Sequence, residues 1–270
     1  MKHTASWLCG ALLALGCGPS SSTGVGNPKL SFELTVLSDD ADDAAAGAGG
    51  SQGEGGATSV EGGAASAEVE TPLTKGQVLN ASLSVAGLRF VACDSTQPNA
   101  EVAGPFVIDL IAGTTLPRIP AIASIDGGYC GLEAPLAPAQ RPPALVGRSL
   151  LFRGERADGT RILLFSNMSA TLRVRINLSV GSVDDPTPHL LWAFRPRRWL
   201  TAEEVDAAES ELLDGVRTIV IDVDRHPLLY LRVRSRLAGR SSLFFDANDN
   251  GSIDPDERLS ARGQGLENAD

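Results

Sequence analysis

From Gln77 onward, apolar and polar residues alternate in short runs for more than a hundred residues, interrupted by Gly, Pro and Asp turns. A period of two sends successive side chains to opposite faces, so each run can bury one face and wet the other. This is the pattern of a half-buried strand and not of a helix. The runs are Leu79 to Val85, Leu88 to Cys93, Pro105 to Ile111, Gly128 to Glu133, Ser149 to Glu155, Arg161 to Ser166, Leu172 to Leu178 and Leu190 to Phe194. The sharpest signal is the hairpin Leu150 to Glu155 and Arg161 to Phe165, with Asp158-Gly159 at its turn. Many short strands with frequent turns predict a mainly β fold, an antiparallel β-sandwich. The cluster Pro135, Pro138, Pro142 and Pro143 is expected to connect its sheets.

Leu30 to Ser38 alternates in the same way and supplies a further strand. Asp39 to Glu70 has a different character: Gly, Ala, Ser and acidic residues, with no aromatic or basic residue. Such a stretch cannot bury enough apolar surface to offset its chain entropy, and we expect a disordered insertion over 39–70. The β-sandwich domain is therefore assigned to 30–200. The rest, 201–270, reads as a small helical C-terminal extension. Thr201 and Glu204 have capping-box spacing, Gly215 is placed to stop the helix, and Asp224 to Leu237 reads as a second helix with Pro227 in its first turn. Ile219 to Ile221 is a possible intervening strand.

Within this extension, Asp246 to Glu257 reads D-A-N-D-N-G-S-I-D-P-D-E and meets every fixed position of the EF-hand signature D-x-[DN]-x-[DN]-G-x₅-E. Calcium is a hard cation that takes roughly 6–8 oxygen ligands, so oxygens must recur along a loop that wraps it. Asp246, Asn248 and Asn250 would give side-chain oxygens, Ser252 its carbonyl, Asp254 a direct or water-mediated contact and Glu257 both carboxylate oxygens. Gly251 makes the sharp turn, Ile253 packs inward, and Asp249 and Asp256 are not expected as ligands. With two neutral Asn ligands, the predicted affinity is weak, about 10⁻⁴–10⁻³ M. The alternative is a surface turn, for which Asn, Asp and Gly are the usual residues. No second loop of this kind occurs in the sequence, which favours a structural over a switching role.

The N-terminus, Met1-Lys2-His3 followed by an apolar run to Ala14-Leu15-Gly16-Cys17, has the form of an export signal over 1–16 and is too short to span a bilayer. Gly16-Cys17 resembles the bacterial lipobox, in which the cysteine thiol is acylated and the preceding peptide removed; Ala14 departs from the commoner Leu. Cys9, preceded by Trp7-Leu8, is a poorer candidate, and an ordinary secretory signal is the alternative. Residues 17–29 would form a tether, within which Gly24 to Pro28 resembles a G-x-G-N-P element of some bacterial lipoproteins. Removing the signal leaves Cys93 and Cys130 besides the lipidated Cys17. In an oxidising compartment that pair suggests a disulfide, the other possibility being two buried thiols.

Loss of Lys2 with the signal leaves 22 basic against 33 acidic residues, about −11, which makes nucleic acid an unfavourable partner. Arg195, Arg197 and Arg198 beside Trp192 and Trp199 could bind an anionic glycan or headgroup, or form a solvated strand edge. His189 and His226 sit in no zinc-protease or triad pattern, no G-x-S-x-G occurs, and Asp222 and Asp224 read as cap and turn residues. The chain resembles uncharacterised bacterial lipoproteins in which an anchor and tether lead to a β-sandwich and a single EF-hand-like loop. The resemblance implies a non-enzymatic protein held on a membrane of the cell envelope. The leading expectation is thus a calcium-stabilised, lipid-anchored surface protein. A carbohydrate-binding or adhesion module using the sandwich face and Trp192/Trp199 is the alternative, and an envelope hydrolase lacks a catalytic constellation.

Overall fold

The computed structural model describes residues 29–36, 71–74, 77–180, 182, 189–248, 250–258, 261 and 263–266. The proposed signal 1–16, Cys9, the lipidation candidate Cys17, the tether up to residue 28, the end of the expected strand at Ser38, the acidic segment 39–70 and Asp249 lie outside them.

The described residues form fourteen strands and three α-helices. The first half holds β1 (Lys29–Val36), β2 (Val78–Ala92), β3 (Ala100–Asp109), β4 (Thr114–Leu116), β5 (Ile122–Ala123), β6 (Tyr129–Pro135), β7 (Leu150–Glu155) and β8 (Arg161–Ser166). The second holds β9 (Thr171–Val180), β10 (His189–Phe194), α1 (Ala202–Asp206), β11 (Glu211–Leu213), β12 (Val216–Ile221), α2 (Pro227–Gly239), β13 (Ser241–Phe245), α3 (Pro255–Arg258) and β14 (Gly263–Leu266). The fold is mainly β, as the alternation requires.

The strands join one large curled sheet in the order β11-β12-β8-β7-β2-β6-β9-β14-β13-β10-β1-β5, with β3 on β2 and β4 on β3. β2 is where the sheet forks. Its first half pairs with β7 through Val78 to Leu83, its second half pairs with β6 through Arg89 to Ala92, and β3 runs along it from Ser82 to Phe90. Two wings diverge from this strand, and the arrangement is sandwich-like. The segments Leu79 to Val85 and Leu88 to Cys93 are one strand with an irregularity at Ala86-Gly87. The Pro-rich connection leaves β6 and enters β7, passing from one wing to the other.

The sheet is mixed and not strictly antiparallel. β1 runs parallel to β10, Ser31 to Val36 against His189 to Phe194, and β12 runs parallel to β8, Thr218 to Ile221 against Arg161 to Leu164. Alternation encodes which residues face inward but not the direction of a strand. Both parallel pairs are joined by long stretches of chain that build other elements on the way, which is what parallel pairing demands.

The C-terminal third also differs from a purely helical extension. Its helices are present, but β11, β12, β13 and β14 return to the sheet between and after them. Thr201 does cap α1: its hydroxyl accepts the Glu204 N–H (3.1 Å), and the Glu204 carboxylate accepts the Thr201 N–H (2.9 Å). The helix then ends after five residues. Gly215 does not stop it; Asp214 (φ 52°) and Gly215 (φ 77°) form the two-residue turn of the β11–β12 hairpin, with Leu213 opposite Val216. Positive φ at both central positions is the geometry whose twist suits a hairpin.

One continuous cluster of buried side chains fills the interior, with contributions from both wings. Phe32, Phe90, Tyr129, Trp192 and Phe194 meet within it, Phe32 and Phe90 edge to face at 5.3 Å and Trp192 and Phe194 at 4.6 Å. Trp199 packs against Phe152 of the other wing at 6.1 Å. Aromatic pairs in these geometries add to the stabilisation expected from burial alone. Cys93 and Cys130 form a disulfide, their Cα atoms 4.9 Å apart, where β2 ends beside the start of β6.

Candidate functional site

The sheet delivers the 246–257 loop. β13 pairs antiparallel with β10, and the Asp246 N–H continues the ladder onto the His189 carbonyl (3.3 Å). The chain then leaves the sheet and comes back as α3. Ile253 packs on Ala193 and Phe244, a small cluster that pins the middle of the loop to the sheet, as its position in the signature predicts.

Within the loop every side chain proposed as a ligand is engaged in one hydrogen-bond network. Asp246 is buried, and its two oxygens accept the N–H groups of Asn250 (3.1 Å) and Gly251 (2.8 Å). Gly251 has φ 69°, a conformation that glycine adopts without steric cost. The Asn248 oxygen accepts the Asn250 N–H (3.2 Å), and the Asn250 oxygen accepts the Ser252 N–H (2.7 Å). The Asn248 and Asn250 amides both donate to one oxygen of Asp254, at 2.7 and 3.2 Å. Glu257, also buried, closes the ring: one oxygen accepts from Ala247 (2.7 Å) and the other from Asp254 (2.9 Å). Glu257 at the twelfth position thereby ties the start of the loop, at Ala247, to its end, and Asp246 at the first position holds the central turn.

The donor chemistry suits a hard cation. Asp246, Asn248, Asn250, Asp254 and Glu257 offer oxygen only, apart from the amide N–H groups now spent on Asp254, and the Ser252 carbonyl completes the set. Each engaged oxygen retains a second lone pair, except the Asp254 oxygen that accepts from both asparagine amides. Among the described residues, however, no group of three or more His, Cys, Asp or Glu side chains is placed to hold a metal ion. The three loop carboxylates are linked through the two asparagines and backbone N–H groups, and a cation would have to compete for those contacts.

Other residues singled out in the sequence fall elsewhere. Trp192 and Trp199 are completely buried, so neither is a stacking platform; the carbohydrate reading loses its aromatic support. The reason is tertiary: sheet curling brings Phe32 against Trp192, and Phe152 covers Trp199. His226 Nε2 donates to the Glu209 carbonyl (3.0 Å), and His189 serves the β10 ladder. Asp222 does act as a turn cap, one oxygen accepting from the N–H groups of Asp224 (3.0 Å) and Arg225 (2.7 Å). Burial would raise the Asp222 carboxyl pKa, but the Arg225 N–H and guanidinium and the Asp224 N–H outweigh it and hold it below the usual carboxylate value.

One concave feature has no single sequence motif. Three segments distant in the chain, 104–107, 116–117 and 139–142, meet to line a trough of about 560 Å³. Only the Pro cluster at 135–143 hinted at it, because the trough depends on the β3–β4 pairing and on the path of the β6–β7 connection. Comparison with protein-family models, with curated proteins and with solved structures returns no match.

Proposed function

We propose that this chain is a membrane-anchored lipoprotein of the bacterial cell envelope, held by Cys17, whose loop 246–257 binds calcium in a structural role. The observation that carries the reading is the complete loop signature together with buried Asp246 and Glu257 at its two ends, where β13 leaves the sheet and α3 begins. Bound calcium would supply positive charge among Asp246, Asp254 and Glu257. The protein's own part is to place the donors: Gly251 turns the chain, Ile253 fixes the loop to Ala193 and Phe244, and Glu257 clasps Ala247 to Asp254. The trigger is thermodynamic and not conformational, since a cation that binds only the folded chain stabilises it by mass action. A lone loop fits such a clip, and a surface interaction stabilised in this way is its most direct use.

With a dissociation constant of about 10⁻⁴–10⁻³ M, 2 mM calcium should stabilise the fold by about 0.6–1.8 kcal/mol. Titration calorimetry and thermal melting of a chain beginning after Cys17 should show saturable binding and a raised Tm, both absent in Glu257→Gln. No heat of binding at millimolar calcium would reduce the loop to a turn. The anchor is tested separately: metabolic labelling with palmitate should mark the native chain and not Cys17→Ser. Equal labelling, or none in either, would remove the lipoprotein reading while leaving the calcium site standing.

A further inference from the structure

We infer that the trough between β3, β4 and the β6–β7 connection is a binding site for a medium-chain aliphatic carboxylate. Its walls are Pro105, Leu116, Pro117 and Pro142, and its deeper part is formed by half-buried Val107 and buried Ala139. Val107 and Leu116 are register partners across β3 and β4, so the two side chains share one face of the sheet. Three of the wall residues are prolines, whose ring fixes φ, and the surface is preformed and does not have to be ordered on binding. A volume of about 560 Å³ lies within the range of small-molecule sites.

The polar groups set the class of ligand. The only ones on lining side chains belong to Gln140 and Arg141, which are exposed at the mouth. The Arg141 guanidinium has no ion-pair or side-chain hydrogen-bond partner among the described residues. The chain as a whole carries 33 acidic against 23 basic residues, yet the lining holds one cation and no carboxylate. An apolar bed with a single unpaired guanidinium at its edge fits an amphiphile with an aliphatic body and one planar anionic head. Arginine takes a carboxylate through two parallel N–H donors, and Gln140 can add a third. Leu116 is 72% exposed, a large apolar side chain left in water that an alkyl chain lying along the trough would cover. The site is independent of the calcium loop and of the anchor.

The test is titration calorimetry of the full chain with decanoate and, in parallel, with decanol. Decanoate should bind saturably at one site; Arg141→Gln should weaken it by about tenfold or more, as expected for loss of a charge-assisted pair, and leave decanol unchanged. Leu116→Asp, which sets an anion beside the alkyl chain, should abolish decanoate binding. Both positions are exposed, so unchanged melting curves will verify that the variants fold. Absence of saturable decanoate binding to the native chain would overturn the inference. So would binding undiminished by either substitution, or decanol binding weakened by Arg141→Gln as much as decanoate.

Discussion

Replacing Glu204 by Ala should destabilise the folded chain by about 2–4 kcal/mol, the cost of losing a charge-assisted hydrogen bond to Arg236 together with a helix cap. The Glu204 side chain is only 9% exposed and joins α1 to α2. One oxygen accepts from Arg232 of α2 (2.6 Å); the other accepts from Arg236 of α2 (2.7 Å) and from the Thr201 N–H that opens α1 (2.9 Å). Arg236 is itself 13% exposed and also donates to the Trp199 carbonyl (3.3 Å). Truncation at Glu204 removes the carboxylate from two arginines and breaks the capping box at once. Glu204→Gln retains an acceptor for Thr201 and should cost less. The carboxyl also gives the fold an acid limb. Burial acts to raise its pKa, but the Arg236 hydrogen bond, the Thr201 N–H and Arg232 together hold it below the ordinary value. A carboxyl depressed in the folded state stabilises above its unfolded-chain pKa of about 4.3, and that contribution is lost as pH falls through the lower folded value. Urea midpoints should therefore differ widely between native and Glu204→Ala chains at neutral pH, and the gap should narrow below about pH 4. A gap independent of pH would show that the packing of the side chain, and not its charge, is what matters.

Removing the disulfide should be comparably costly. Cys93 and Cys130 close a loop with a sequence separation of 37, for which chain entropy alone gives about 3–4 kcal/mol. The bond sits at the end of the β2–β6 ladder, where Ala92 pairs with Tyr129 and the Cys93 N–H donates to the Gly128 carbonyl (3.0 Å). It therefore keeps the second half of β2 from peeling off one wing while the first half holds the other. The Cys93→Ala/Cys130→Ala variant should unfold at lower denaturant, and adding a reductant should move the native chain to the same midpoint without affecting the variant. A reductant-insensitive native chain would mean that the bond contributes nothing to stability in solution.

Much of this architecture is legible in the sequence, and the exceptions have physical reasons. The runs from Leu79 to Phe194 became strands because alternation reports burial directly. β13 carries no alternation: Ser241 to Phe244 are buried on both faces, which erases the period. β14, Gly-Gln-Gly-Leu, has no strand propensity at all. It is there because its backbone must pass close to β9: a Cβ on Gly263 would lie 2.8 Å from the Arg175 carbonyl oxygen. The Asp214-Gly215 hairpin was hidden behind a strong helix start at Thr201, although the same dipeptide marked the turn at Asp158-Gly159. In the loop 246–257 the turn at Gly251 was legible, since the hydrogen bond to Asp246 that holds it is local. Trp192 and Trp199 were not, since nothing near them in the chain reveals that Phe32 and Phe152 will cover them.

The position of β14 has a consequence for the order in which the sheet closes. It lies in the middle of one wing, pairing with β9 on one side and β13 on the other, yet it follows every other described strand in chain order. Until residues 263–266 dock between them, both neighbours present bare N–H and C=O groups along an edge. The open sheet is then a template for any passing strand, and the charged side chains of Arg173 and Arg175 on β9 are what stand against promiscuous pairing.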